Sequence, residues 1–423
     1  MSGIVQNNIL RSSGTIAAAA SGLNWVSTVV TASTLTAEAG NGYFINTTSN
    51  TCTITLPASA EAGDQIVFVD YLRTWGTNKI IIDSNGLNYQ GQDDTYTVEY
   101  DTSGETLNIV YSGATKGWIP LDDDTVADVP VAPPTQKAIF GFGFVGSAYT
   151  NVSNLVNSSG VIASDGTGVG TARGNIAAAT YGTDKAIFAF GNSGAHEDIR
   201  NLVNSSGVVA ADVSGAGTKR SMLAATKYGT DTAIFAYGAP GATASNLSNL
   251  VSNTGVVATD TAGVGTARGE LAAASYGTGL GIFGYGTTNT TDALSLTNLV
   301  SNVGVIAADV TGVGSARRGI AAAGYGGDKA IFAYGDTGSL TNVSNLVSNV
   351  GVVAADVSGV GTSREGCAGT NYGGDKAIFA YGDTGSVSNL SNLVSSSGVV
   401  ASDATGVGTA RRHPGAAGFS LSA

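Results

Sequence analysis

From residue 137 onward, short apolar runs alternate with Gly, Asn and Asp at a fixed long period. The phrase KAIFxYG, with near variants, places phenylalanines at Phe140, Phe188, Phe235, Phe283, Phe332 and Phe379, at intervals of 48, 47, 48, 49 and 47 residues. Three further phrases keep step with it. NLV carries Leu155, Leu202, Leu250, Leu299, Leu346 and Leu393; a GTAR-like phrase ends at Arg173, Arg220, Arg268, Arg317, Arg364 and Arg411; AAAxYG carries Tyr181, Tyr228, Tyr276, Tyr325 and Tyr372. Its sixth copy is degenerate, with Phe419 at the tyrosine position. Runs of four to six apolar residues broken by glycine argue for strands and against helix. Each repeat is therefore expected to supply four strands, AAAxYG, KAIFxYG, NLV and GVVAxD. Alternation puts Ala186, Phe188 and Phe190 on one strand face, against a neighbouring sheet.

Four strands in a period of about 40–50 residues mark a β-propeller blade. The array is offset at its ends. The first KAIF phrase has no AAAxYG before it, and the last GTAR phrase is followed by AAGFSLSA with no KAIF after it. A strand at Ala416–Ala423 can thus complete the sheet begun at Lys137–Gly143, giving six blades and no long open edge. The AAA segments are expected to line the central channel, where only small side chains fit.

Before the repeats the pattern differs. Strand-like segments lie at Tyr43–Asn46, Cys52–Leu56, Gln65–Val69, Lys79–Ile82, Tyr96–Tyr100 and Leu107–Tyr111. Their spacing predicts a small β-sandwich or β-prism, with Trp75 and Trp118 anchoring the core. Pro120, Pro130, Pro133 and Pro134 and the acidic run Asp122–Asp124 mark a linker over 122–136. The division expected is an arm at 1–22, a β-rich attachment module at 23–121, the linker, and a propeller at 137–423. The fold class is all-β.

Composition narrows the function. The 61 glycines and only seven prolines, without a strict triplet period, exclude collagen, and a hydrophobic content of 43% argues against wholesale disorder. Cys52 and Cys367 are the only cysteines, and His196 and His413 the only histidines. A disulfide framework, a His-based metal site and a copper centre are not expected. Sugar hydrolysis needs two carboxylates at a defined separation, and no distinctive pair stands out. No enzyme activity and no cofactor are expected. The net charge of −12 resides mostly in residues 1–128, with 14 acids and four bases, a net −10. Without a basic stripe, nucleic acid is not an expected partner. No run of 18 apolar residues predicts membrane insertion, and the first residues lack the order of a secretory signal.

Spacing also locates a variable face. Each NLV leucine lies 18 residues before its arginine in all six repeats, and each arginine 15 before the next phenylalanine. Only the connection from KAIFxYG to NLV varies, spanning 11, 10, 11, 12, 10 and 10 residues. These loops share one face of a propeller with the GTAR crossings. The candidate recognition residues on them are Phe144, Tyr149, His196, Glu197, Asp198, Asn289, Asp292, Asp336 and Asp383. Unconstrained drift of surface loops is the alternative reading. The aspartates Asp165, Asp212, Asp260, Asp309, Asp356 and Asp403 each precede a repeat arginine by eight residues, as a structural pair at a blade junction.

The KAIFAYG phrase and the recurrent arginine before a small-residue strand resemble kelch-type blades, with Tyr-Gly or Phe-Gly in place of the paired glycine and the later tryptophan missing. That resemblance implies a six-bladed, kelch-like, partner-binding propeller. GYFINTTSNTCTITLPASAEAGDQIVFVDY and NIVYSGATKGWI, with the opening MSGIVQNNILRSSGTI, resemble virion proteins of tailed phages. This second resemblance covers residues 1–121 and implies location in the virion, with the first module bound to other virion proteins. It further implies a tail-fibre component whose propeller contacts a host-surface glycan or protein. A homo-oligomer, with a trimer among the arrangements, fits that role. A capsid decoration or head-fibre protein, a glycan-cleaving tailspike and a cellular lectin-like adhesin are the alternatives.

Overall fold

The computed structural model describes residues 22–121, 136–215, 217–288 and 292–420. The chain forms two compact units, Met1–Pro133 and Pro134–Ala423. All but Gly22 of the arm proposed at 1–22, and nearly all of the linker, lie outside the described residues. Those described form strands, turns and irregular segments, with no helix among them.

The described residues of the first unit form nine strands: β1 (Asn24–Trp25), β2 (Thr34–Thr36), β3 (Asn41–Ile45), β4 (Cys52–Thr55), β5 (Gln65–Asp70), β6 (Ile80–Asp83), β7 (Val98–Tyr100), β8 (Thr106–Tyr111) and β9 (Trp118–Pro120). They make a five-stranded sheet, β1-β3-β5-β8-β9, and a four-stranded sheet, β2-β4-β6-β7. The first six strands alternate between the sheets, and those two apart pair in parallel. The chain thus winds as coils before β7, β8 and β9 close it in antiparallel fashion. Period-2 alternation reveals a half-buried strand but not its partner, so the winding was not legible beforehand. One core joins the sheets through Ile45, Phe68, Ile54, Ile80 and Tyr100, with Trp75 and Trp118 fully buried.

The second unit is a ring of six three-stranded sheets. Five blades follow chain order, such as Ala177–Tyr181, Lys185–Ala189 and Arg200–Val203. The remaining blade joins the chain ends: Lys137–Phe144 lies between Tyr149–Val156 and Gly415–Phe419. Ala417 opposes Ile139, and Phe419 opposes Lys137. The six inner strands contact one another in a complete cycle. Two girdles of backbone hydrogen bonds also close. At one end the amides run Asn175→His413, Met222→Asn175, Glu270→Met222, Gly319→Glu270, Gly366→Gly319 and His413→Gly366, at 2.7–3.1 Å. At the other, the hairpin turns run Gly182→Asp231, Gly229→Gly279, Gly277→Asp328, Gly326→Asp375, Gly373→Gln136 and Ser420→Asp184.

Two expectations are corrected. The fourth strand of each repeat is reduced to bridges, such as Val156↔Ile162 and Ser153↔Gly166. The bridged residues are three apart on one side and four on the other, so an extra residue interrupts the ladder. Phe188 and Phe190 do not share a face either. Phe190 has φ +63°, and its equivalents Phe142, Tyr237, Tyr285, Tyr334 and Tyr381 have φ from +64° to +67°. This left-handed kink turns the last aromatic of each strand to the opposite side. Phe188 packs edge-on against Phe142 of the preceding blade, and Phe190 lies tilted against Phe235 of the following one. The pattern continues to Phe140 with Tyr381, closing an aromatic cycle.

A fully buried arginine offsets the strain of each kink. The Arg268 guanidinium carbon lies 4.3 Å from the centre of the Tyr237 ring. Its Nε donates to the Tyr285 carbonyl at 2.9 Å, and Nη2 to Asn298 Oδ1 at 2.6 Å. Asn298 donates to Asp309 Oδ1 at 2.9 Å, while Asp309 Oδ2 accepts from the Thr266 amide and hydroxyl at 3.0 and 2.7 Å. The arginine therefore serves an aspartate of the next blade, at 3.8 Å, not the one eight residues before it. Asp260, its predecessor in sequence, pairs with Arg220. Arg411 and Thr409 complete the circle on Asn154 and Asp165. A Cβ on Gly265 would strike the Asp309 carboxylate, so the glycine of GVGTAR makes room for the clasp.

Burial tends to raise the pKa of these six aspartates, but it is outweighed by hydrogen bonds from Thr or Ser and Asn and by the arginine, so all six are held below the usual carboxylate value. Groups with depressed folded pKa values add stability above the unfolded value, about 3.9, and lose it as pH falls through the folded value. The expected result is a melting temperature of the propeller that falls most steeply below about pH 4, where the clasp aspartates take up protons, on top of a gentler decline that begins below about pH 6.5 as histidines protonate in the unfolded chain. Differential scanning calorimetry checks it; a flat profile down to about pH 3 would contradict the clasp.

Candidate functional site at the axial mouth

Two cavities lie on the ring axis and share a waist of Ala178, Ala225, Ala273, Ala322, Gly369 and Ala416. The AAA segments do line the channel. The cavity at the hairpin end, about 310 Å³, is walled chiefly by small and hydroxyl residues such as Thr180, Thr226 and Ser275, with Lys227 as its single cation. The cavity at the other end, about 140 Å³, opens on the face of the variable loops and GTAR crossings.

This mouth has two concentric rings, formed by the two residues after each clasp arginine: Gly174-Asn175, Ser221-Met222, Gly269-Glu270, Arg318-Gly319, Glu365-Gly366 and Arg412-His413. The second member of each pair supplies the amide girdle, with φ between +50° and +59° at all six positions. The first members bridge to the start of the variable loops, at Asn192, Ala239, Thr287, Asp336, Asp383 and Phe144. The clasp residues Arg, Asn and Asp recur in every blade, whereas these columns differ. Around one half of the mouth stand Glu270, Arg318, Asp336, Glu365, Asp383, Arg412 and His413. The remaining ring positions are uncharged.

The charged half is tightly arranged. Arg318 Nη2 donates to Asp336 Oδ2 at 3.0 Å, and its Nε lies 3.8 Å from Glu270 Oε2. Arg412 Nη1 donates to Asp383 Oδ2 at 2.8 Å, and its guanidinium covers the Phe144 ring. Glu365 and His413 lean over the two glycines: a Cβ on Gly319 would lie 3.0 Å from Glu365 Oε2, and one on Gly366 2.8 Å from His413 Nδ1. Burial raises the pKa of Glu270, with Asp336 adding to the effect and Arg318 opposing it. Burial likewise raises Glu365, reinforced by Asp336, Glu270 and Asp383. The His413 imidazole is pushed down to about 4, by burial and then by Arg412, and is neutral near pH 7. The mouth therefore combines two ion-paired carboxylates, two carboxyls whose pKa values burial raises and a neutral imidazole around one cavity. No group of three or more His, Cys, Asp and Glu suited to a metal ion occurs among the described residues.

The residues singled out from sequence are distributed unevenly. Asp336 and Asp383 join the mouth. Phe144 and Tyr149 pack edge-on, 5.3 Å apart, and Tyr149 donates to Asn192 Oδ1, so both rings are held against the blade. His196 hydrogen-bonds Ser221, while Glu197 and Asp198 lie near Lys219, outside the charged half. Asp292 is exposed on its loop, and Asn289 lies outside the described residues. Sequence reading missed Glu270, Arg318, Glu365, Arg412 and the mouth position of His413. Their signal was the variable pair of columns after an otherwise constant arginine.

No family model and no curated protein matches the chain. Among solved structures, 222 chains match. One of them, titled "Structure of YjhT", is 10% identical, with a TM-score of 0.45, over 58% of this chain and 87% of that one.

Proposed function

We propose that this protein is a recognition component of a phage virion, of the tail-fibre or receptor-binding kind. The first module joins it to other virion proteins, and the propeller engages a host-surface glycan. The observation that carries the recognition reading is the axial mouth: a scaffold repeated six times becomes chemically individual where the variable loops surround a cavity. The resemblance of residues 1–121 to tailed-phage virion proteins supports the location. Gold-labelled antibodies against the full chain, viewed on intact particles by electron microscopy, test it. Label at the tail tip, together with inhibition of adsorption by the purified protein, is the expected result. Label on the capsid favours the decoration or head-fibre alternative, and label confined to cells defeats the virion reading.

A second reading, a glycan-cleaving appendage, would draw on Glu270 and Glu365, two carboxyls at the axial mouth whose pKa values burial raises. Shortening of host envelope polysaccharide by the purified protein supports that reading, and unchanged chain length excludes it for that polysaccharide.

A further inference from the structure

We propose that the outer face of the five-stranded sheet in the first unit is the surface through which two copies of this chain join. The inference goes beyond the recognition reading and does not depend on it. Alternation assigns each residue of the sheet to a side. Tyr43, Ile45, Phe68 and Ile109 enter the shared core. On the other side the register sets Trp25 beside Gly42, Phe44 beside Val69 and Val110 beside Ile119. Leu121 extends this row, its amide donating to the Asn108 carbonyl at 2.7 Å. Tyr71 meets Phe44 edge-on, with ring centres 6.2 Å apart. The outward positions of the five strands carry no charge. Their two amides, Gln65 and Asn108, hydrogen-bond each other at 2.7 Å. The opposite sheet differs. Its outer face bears threonines, Asp83 bonded by Thr55, and the Lys79–Glu99 ion pair, as a solvated sheet face should.

A second observation is independent of this asymmetry. The Trp25 indole lies flat on the backbone: a Cβ on Gly42 would come within 2.7–2.9 Å of three of its ring carbons. It also stacks on Phe44, with ring centres 4.9 Å apart. The ring is thus held in place, yet Trp25 is 45% exposed, with Tyr71 at 51% and Leu121 at 53%. Large apolar groups fixed in advance and left facing solvent mark a contact surface. A sugar would need free hydrogen-bonding groups, whereas the two amides of this face engage each other. Charge and area point to a second copy. Residues 1–128 carry a net −10, so two such modules approach best through a face that brings no like charges together. A twofold contact sets the same patch on both sides, and an uncharged sheet face is complementary to itself. From strand spacing and rise, the face covers roughly 400 Å². Pairing two removes roughly 1,000 Å² from water once side-chain relief is counted, the size of the smaller specific interfaces. Association in about the micromolar range is therefore expected.

Sedimentation of the full-length protein from about 1 to 100 µM tests the proposal and should show a shift from one-chain to two-chain mass. Trp75 and Trp118 are fully buried, so acrylamide quenching of tryptophan fluorescence reports chiefly on Trp25 and should weaken as the pair forms. Tyr71→Glu and Leu121→Glu, both at side chains more than half exposed, should each raise the dissociation constant at least about tenfold without shifting the thermal transition. Thr36→Glu, exposed on the opposite sheet, should leave association unchanged. A one-chain mass throughout, or association that neither folded glutamate variant at this face weakens, would overturn the proposal. A one-chain mass with Trp25 shielded only on intact particles would also overturn it, and would assign the face to another virion protein.

Discussion

A chain ending at Pro414 will not hold the closed ring. The lost segment contains Gly415–Phe419, the inner strand of the blade that unites the two chain ends. Without it, Lys137–Gly141 becomes an open edge with unpaired amides and carbonyls. Phe419, almost fully buried with Ile139, Phe142, Ile176 and Phe188, also disappears. Losing one buried phenylalanine side chain costs about 3–5 kcal/mol, and with the strand the loss rivals a domain's whole stability of about 5–15 kcal/mol. The truncated protein should be cut readily by protease within the repeats, and amides of Lys137–Gly141 should exchange as fast as those of surface loops. Hydrogen exchange with mass-spectrometric readout measures this. Protection equal to that of the full chain would show that the remaining blades stand without closure.

The second large effect is expected at a single side chain. Arg268→Met removes the positive charge while keeping much of the stem. It leaves Tyr285 O and Asn298 Oδ1 without their buried donors and uncovers the strained Tyr237 ring. Asp309 loses its nearby cation but keeps its bonds from Thr266 and Asn298. Breaking a buried charge network by deleting one member costs about 3–5 kcal/mol. Asp309→Asn should cost less, because an amide oxygen can still accept from Thr266. Urea denaturation of both variants separates the cases. A loss below about 1 kcal/mol for Arg268→Met would mean that packing alone joins the blades and the guanidinium is dispensable.

The site was less legible than the scaffold. Repeated residues announce themselves by recurrence, so the clasp arginines and aspartates stood out although their partnership crosses to the next blade. The mouth residues carry the opposite signal. Glu270, Arg318, Glu365 and Arg412 occur where recurrence fails, and a search for shared phrases passes over them. Asp336 and Asp383 were found because they begin loops of variable content, whereas Phe144 and Tyr149 in the equivalent loop turned inward against each other.

Period, the three ladder-forming strands of each repeat, the offset ends and the small residues of the inner strands were legible in the sequence alone, since each depends on local alternation or on counting along the chain. Tertiary structure decided the rest. The left-handed aromatic turn separates Phe188 from Phe190, the clasp reaches one blade ahead, and the first unit winds between two sheets instead of forming simple hairpins. Above all, closure brings the loop segments after six arginines, spread over more than half the chain, onto one axis. No pattern along the sequence reports that convergence, because the contacts that create it link residues about a repeat apart or at opposite ends of the array.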